Sequence, residues 1–190
     1  MPVSSTLAIP SADLPDEDAR LVFEAQKNPM AFQALYDRWA APVYQYFYYR
    51  TGDVASAEDL TSQLFLSAYQ SLPRYVHRGH FAAWLFTIAR NLVRKDYRQN
   101  QRQAPLEMAQ QAAASFDPAV DCAQADEIEC LKKLVQALPK EERELIRLRY
   151  AAGLSFADMA IVLHKSEDAV KKSLYRLQAR LQTLLEQNHD

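Results

Sequence analysis

HFAAWLFTIARNLVRKDYRQNQR, residues His80–Arg102, carries apolar side chains at steps of three and four: Phe81, Trp84, Leu85, Ile88, Ala89 and Leu92. That is the period of one helix face. The end of the segment changes character. Arg90, Arg94, Lys95, Arg98 and Arg102 stand against one acid, Asp96, with Asn91, Tyr97, Gln99, Asn100 and Gln101 among them. One helix is therefore core at its start and a basic, hydrogen-bonding surface at its end. Clustered Lys and Arg with interleaved amides is what contacts to phosphates and bases require. The competing reading is a solvated helix end whose cations favour the C-terminal dipole.

The rest of the chain sets limits on that helix. Its 190 residues allow one domain or two small ones, and a hydrophobic content of 49% suffices for packed cores. Only three glycines occur, Gly52, Gly79 and Gly153, each between periodic apolar runs. With no alternating strand pattern, the composition predicts an all-α protein. The net charge of −2 means that any nucleic-acid function comes from local charge. The first 20 residues lack a basic start and an apolar run, and no stretch approaches the roughly 18 apolar residues of a membrane span. A soluble, cytoplasmic protein is expected. Cys122 and Cys130 have no CxxC or His/Cys companions and read as ordinary thiols, not metal ligands. His77 and His80 lack thiol or carboxylate partners nearby in sequence and read as loop residues. No phosphate loop, nucleophile triad or zinc spacing appears, so no catalytic residue, metal or cofactor is expected.

Residues 1–15 are small and polar and read as a disordered tail. A first helical domain follows over 16–102. Asn28-Pro29 is a helix-start signal, and Pro42 is expected to restart or kink the helix it begins. Leu60, Leu64, Ala68 and Leu72 repeat every fourth residue in a further helix, which Pro73 ends. The segment Arg74–His80 is a loop. Residues 103–126 contain no Lys or Arg but several acids, and read as a flexible acidic linker. At roughly 3.4 Å per extended residue, it is long enough to join two modules that act far apart.

The second domain, 127–187, contains a helix-turn-helix pattern. Ser155 and Asp158 form a capping box for the short first helix. Ala160 is small where the helices cross, and Leu163 and Val170 flank the turn. His164 occupies the position where a glycine usually takes the left-handed conformation. Ser166 caps the second helix, with Glu167 and Asp168 in its first turn. Lys171, Lys172, Tyr175 and Arg176 project largely outward, as a major-groove reader requires. An ordinary αα-hairpin is the plainer alternative.

AEDLTSQLFLSAY (Ala57–Tyr69), AWLFTIARN (Ala83–Asn91) followed by Arg98, and LPKEERELIRLRYAAGLSFADMAIVLHKSEDAVKKSLYRL (from Leu138) together resemble a bacterial RNA polymerase sigma factor of the extracytoplasmic-function group. The resemblance covers about Asn28 to Leu185 apart from the linker. It implies a non-enzymatic initiation factor whose partners are core RNA polymerase and promoter DNA. Glu58, Asp59, Leu60, Ser62, Gln63, Leu64 and Phe65 would dock on the clamp helices of the β′ subunit. Arg74, His77, Arg78, Gly79 and His80 would capture an unstacked base of the minus-ten element. Asn91, Arg94, Lys95 and Arg98 would follow the separated strand. Ser166, Glu167, Asp168, Lys171, Lys172, Tyr175 and Arg176 would read the minus-thirty-five element, with the second domain touching the β flap. Many family members are held inactive by an anti-sigma protein, and the resemblance admits one here. The alternative is a helix-turn-helix regulator with a helical sensory domain at its N-terminus.

Overall fold

The computed structural model describes residues 15–103 and 127–187, with side chains for 17–95 and 130–187. The expected tail and linker fall outside the described residues, apart from their edges. Eight α-helices and no strand occur among the described residues. They are α1 (Pro15–Lys27), α2 (Phe32–Thr51), α3 (Val54–Ser71), α4 (Phe81–Gln103), α5 (Glu127–Ala137), α6 (Lys140–Ile146), α7 (Phe156–Leu163) and α8 (Glu167–Gln187).

Local chemistry sets the breaks in the first domain. The Asn28 side chain accepts from Met30 N at 3.1 Å and starts a 3-10 turn ahead of α2. Gly52 closes α2 at φ 73°, a left-handed conformation that costs glycine nothing. Asp53 then caps α3, accepting from Ser56 N at 2.7 Å, and these bonds hold its carboxyl below the usual range. Pro42 neither restarts nor ends α2, which runs through it. A proline there forgoes one backbone bond. The residues just beyond it, Val43, Tyr46 and Phe47, are fully buried, and that packing offsets the loss.

Phe86 lies at the centre of this domain, with edge-to-face contacts to Tyr46 at 5.4 Å and Trp39 at 6.3 Å. Burying each such side chain contributes roughly 1.5–3 kcal/mol. α1 closes the bundle. Arg38 pairs with Glu17 at 2.6 Å and Asp18 at 2.8 Å, and Trp39 Nε1 donates to Asp18. Burial is the largest influence on Asp18 and raises its pKa.

The second domain packs against the first. Leu145, Leu148, Met159, Val162, Val170 and Leu174 belong to the same buried cluster as Phe47, Leu85 and Phe86. α7 packs on α4 and the stretch that follows α6 packs on α2, while α8 packs on α7 and α6. A smaller cluster, Cys130, Leu134, Leu138, Leu177 and Leu181, joins α5 to late α8. Cys130 is disulfide-bonded, which corrects the reading of this residue as an ordinary thiol; Cys122 lies outside the described residues. Between α6 and α7 the chain passes through a π-helical stretch, Arg147–Ala151, and Gly153 at φ 69°.

Candidate nucleic-acid interface

The loop Arg74–His80 is fixed from one side. Gln26 Nε2 donates to the carbonyls of Leu72 at 2.9 Å and Tyr75 at 2.6 Å. Tyr75 packs on Trp84 with ring centroids 4.5 Å apart and meets Phe81 at 5.9 Å. Burial, aided by the charges of Asp18 and Asp158, pushes the Tyr75 phenol up to about 12. With the ring held inward, Arg74, Arg78 and Gly79 face solvent and His77 is half-buried. Gly79 sits at φ 78°, a conformation strained for a residue with a Cβ. His80, at the start of α4, turns away from the loop: its Nδ1 lies 2.9 Å from Asp158 Oδ1 on α7.

One turn after the apolar stripe of α4 comes the expected basic edge. Asn91, Arg94 and Lys95 are exposed, and the Arg98 side chain lies outside the described residues. Arg90 is not part of the free edge. It donates to the Val162 carbonyl, and its Nε lies 3.5 Å from Glu144.

On α3, Glu58, Asp59, Ser62 and Gln63 form an exposed polar face. Leu60, Leu64 and Phe65 do not join it. They are 4%, 0% and 6% exposed, which makes them the anchor that orients the helix. Their four-residue period places them opposite the polar face. The large apolar groups that the outer surface of α3 does offer are Val54 at its start and, further along, Leu66 and Tyr69, at 51%, 58% and 44% exposure.

The helix-turn-helix forms as its residues specify. Ser155 Oγ accepts from Asp158 N at 3.1 Å and its hydroxyl donates to Asp158 Oδ2 at 2.5 Å. His164 adopts φ 55°, ψ 45°, and its N–H bonds the carbonyls of Ala160 and Ile161. Ser166 Oγ accepts from Ala169 N at 3.2 Å. Along α8, Ser166, Glu167, Asp168, Lys172, Tyr175 and Arg176 are exposed, and Lys171 is half-exposed. Lys171 Nζ pairs with Glu167 at 2.6 Å, and that bond raises the pKa of the ammonium. Phe156 braces the same face, 5.9 Å from Tyr175.

Five residues that no local sequence pattern brings together meet between the domains. Glu144 on α6 is 8% exposed. Its carboxylate accepts from the Tyr46 hydroxyl at 2.8 Å and lies 3.4 Å from both Arg50 and Arg147 and 3.5 Å from Arg90. Burial, reinforced by the Glu144 charge and hydrogen bond, drives the Tyr46 phenol far above its ordinary value. Burial also lowers the Arg147 pKa, and the neighbouring Arg50 adds to the effect. Tyr46 and Glu144 are 98 positions apart, beyond the reach of any local pattern.

Among the described residues no group of three or more His, Cys, Asp or Glu is placed to hold a metal ion, and no helix is long and apolar enough to cross a membrane. Beside the acids Glu58, Asp59, Glu167 and Asp168, the exposed groups on α4 and α8 include cations and hydrogen-bond donors, the kinds of group that contact phosphates and bases.

Residues 35–103 match the family model described as Sigma-70 region 2, and residues 128–181 match that described as Sigma-70, region 4. The chain is 36% identical over 184 residues to the ECF RNA polymerase sigma factor BldN of Streptomyces coelicolor, covering 93% of this chain and 69% of that one. It is 33% identical over 175 residues to the ECF RNA polymerase sigma factor SigL of Mycobacterium tuberculosis, covering 88% and 97%. A solved structure of CnrH, in complex with the cytosolic domain of CnrY, resembles it at a TM-score of 0.65 and 26% identity, covering 90% and 98%.

Proposed function

The chain belongs to the extracytoplasmic-function RNA polymerase sigma factors, which are non-enzymatic initiation factors, and on that premise we propose how its two domains divide the work. The first domain docks on the β′ clamp helices of core polymerase through the polar face of α3. Its loop takes up an unstacked minus-ten base, and Asn91, Arg94, Lys95 and Arg98 follow the separated strand. The second domain reads the minus-thirty-five element as duplex through α8 and touches the β flap. The protein acts in the cytoplasm, where polymerase and promoter are.

The observation that supports this reading best is the fastened loop. Gln26 and Tyr75 fix a backbone whose Arg74, Arg78 and Gly79 face outward beside the exposed edge of α4. Opening a duplex is unfavourable. Capture of an extruded base and stacking on aromatic platforms, roughly 1–3 kcal/mol per base, offset it. A site fixed before the strand arrives spends less of that gain on ordering itself. Cations that touch phosphate add salt-dependent affinity, about −0.7 in the log–log slope per phosphate on single strands.

Run-off transcription with core polymerase and double-stranded genomic fragments tests the proposal. Added protein should start transcription at defined sites. If no fragment ever yields a defined transcript, the reading fails.

A further inference from the structure

A cavity of about 150 Å³ opens between the domains beside Glu144. Its walls differ in charge. The first domain contributes Tyr46, Arg50, Arg90, Val93 and Arg94, which are three cations, a phenol and no acid. The acids, Glu141 and Glu144, both come from the second domain, which also adds Lys140. Arg50 on α2 and Arg90 on α4 both belong to the first domain and converge on the same carboxylate. Cations converging on a small site need an anion there. With the domains closed, that anion is the Glu144 carboxylate, bound by two first-domain arginines and the Tyr46 hydroxyl.

We propose that Arg50, Arg90 and the Tyr46 hydroxyl, with Arg94 at the rim, form a phosphate-binding site for the separated DNA strand, and that Glu144 occupies it as an internal substitute for phosphate while the domains are closed. The inference rests on the reading of the first domain as the strand-binding domain. It assigns Arg50 and Tyr46, both on α2, to the DNA surface. Arg90 and Arg94 are one turn apart on α4, on the edge where the strand passes, so a backbone phosphate beside Arg94 comes within reach of Arg50. A carboxylate and a phosphate offer the arginines the same acceptor geometry, and each excludes the other. Closure withholds His80 as well, through Asp158. The free chain therefore resists single-stranded DNA through one buried carboxylate rather than through its net charge.

The test uses the full chain and a single-stranded oligodeoxynucleotide, with binding followed by fluorescence anisotropy across a salt series. Glu144→Gln should bind more tightly than the wild type, with a slope steeper by about 0.7 for each additional phosphate bound. Adding Arg50→Ala to that variant should take away the slope due to one phosphate. Glu141→Gln changes the charge of the same cavity equally, but Glu141 has no place in the cluster, and this variant should behave as the wild type. No gain in E144Q, or an equal gain in E141Q, overturns the inference. Should E144Q fail to fold, holoenzyme carrying Arg50→Ala, compared with the wild type, decides. Arg50→Ala should flatten the salt dependence of open-promoter formation by about 0.7, and an unchanged slope rejects the site. Failure of the sigma-factor reading looks different, because the wild-type holoenzyme then starts no transcription.

Discussion

The two surfaces assigned to DNA are held in check in different ways. The basic end of α4, on the proposed reading the strand-following one, is flanked by residues that the other domain engages, Arg90 by Glu144 and the Val162 carbonyl and His80 by Asp158, while Asn91, Arg94 and Lys95 stay exposed. The reading face of α8 has no such cover. Its cation Lys171 is paired within its own helix, with Glu167 one turn earlier. The first surface therefore depends on tertiary structure, and rearranging the domains changes it. The second is set by local sequence and stays the same in any arrangement. On the proposed reading, duplex melting is thereby placed under conformational control and duplex reading is left ready.

The shared core provides the sharpest way to break this comparison. Phe86 lies in the cluster that contains side chains from both domains. Phe86→Ala should cost about 3–5 kcal/mol and lower the melting of both domains together in calorimetry. A second-domain transition that stays at its original temperature would mean that the domains do not share their stability. Next in size is Lys171→Ala with Lys172→Ala. Duplex minus-thirty-five binding should weaken, with a slope shallower by about 0.9 for each phosphate no longer held, while polymerase binding stays intact. Equal loss of both would erase the division between the surfaces.

Ser155→Ala removes the cap of α7 and the hydroxyl that steadies Asp158 opposite His80. The expected loss is about 1 kcal/mol of stability, read by chemical denaturation. The smallest effect concerns pH. Folding raises the Tyr46 pKa above its ordinary 10.0, so the folded state holds this proton more tightly than the unfolded chain. The stability it contributes is complete below pH 10 and is lost as pH rises beyond that. Tyr46→Phe should show a flatter alkaline limb in its stability curve. A limb as steep as that of the wild type would place the alkaline loss elsewhere, with Tyr75 the next candidate.

Much of the fold was legible because its determinants are local. Ser155, Ser166 and Asn28 act within three residues of themselves, and periodicity alone places Leu60, Leu64, Phe81 and Leu85 inward. His164 takes the left-handed turn that its position demanded. The exposed faces of α4 and α8 were legible for the same reason. What was not legible is what spans the chain. A long acidic linker is compatible with any separation, so no pattern foretold that α7 would lie on α4. Glu144 sits in a run rich in charge, ELIRLR, where a surface pair with a neighbouring arginine is the natural expectation. Only the packing of α6 on α2 buries it against Tyr46 and Arg50. Pro42 does not restart the helix for a related reason: its local preference yields to the burial of Val43, Tyr46 and Phe47.

The central claim is that the first domain holds one strand of an opened promoter. Permanganate oxidises unpaired thymines, and it reports this directly on a promoter fragment mixed with core polymerase and the protein. The wild type should give reactive thymines in the minus-ten region, and Arg74→Ala with Arg78→Ala should abolish them while the holoenzyme still forms. A promoter that is transcribed from the same start by the double variant, with the same thymines reactive, would contradict the account.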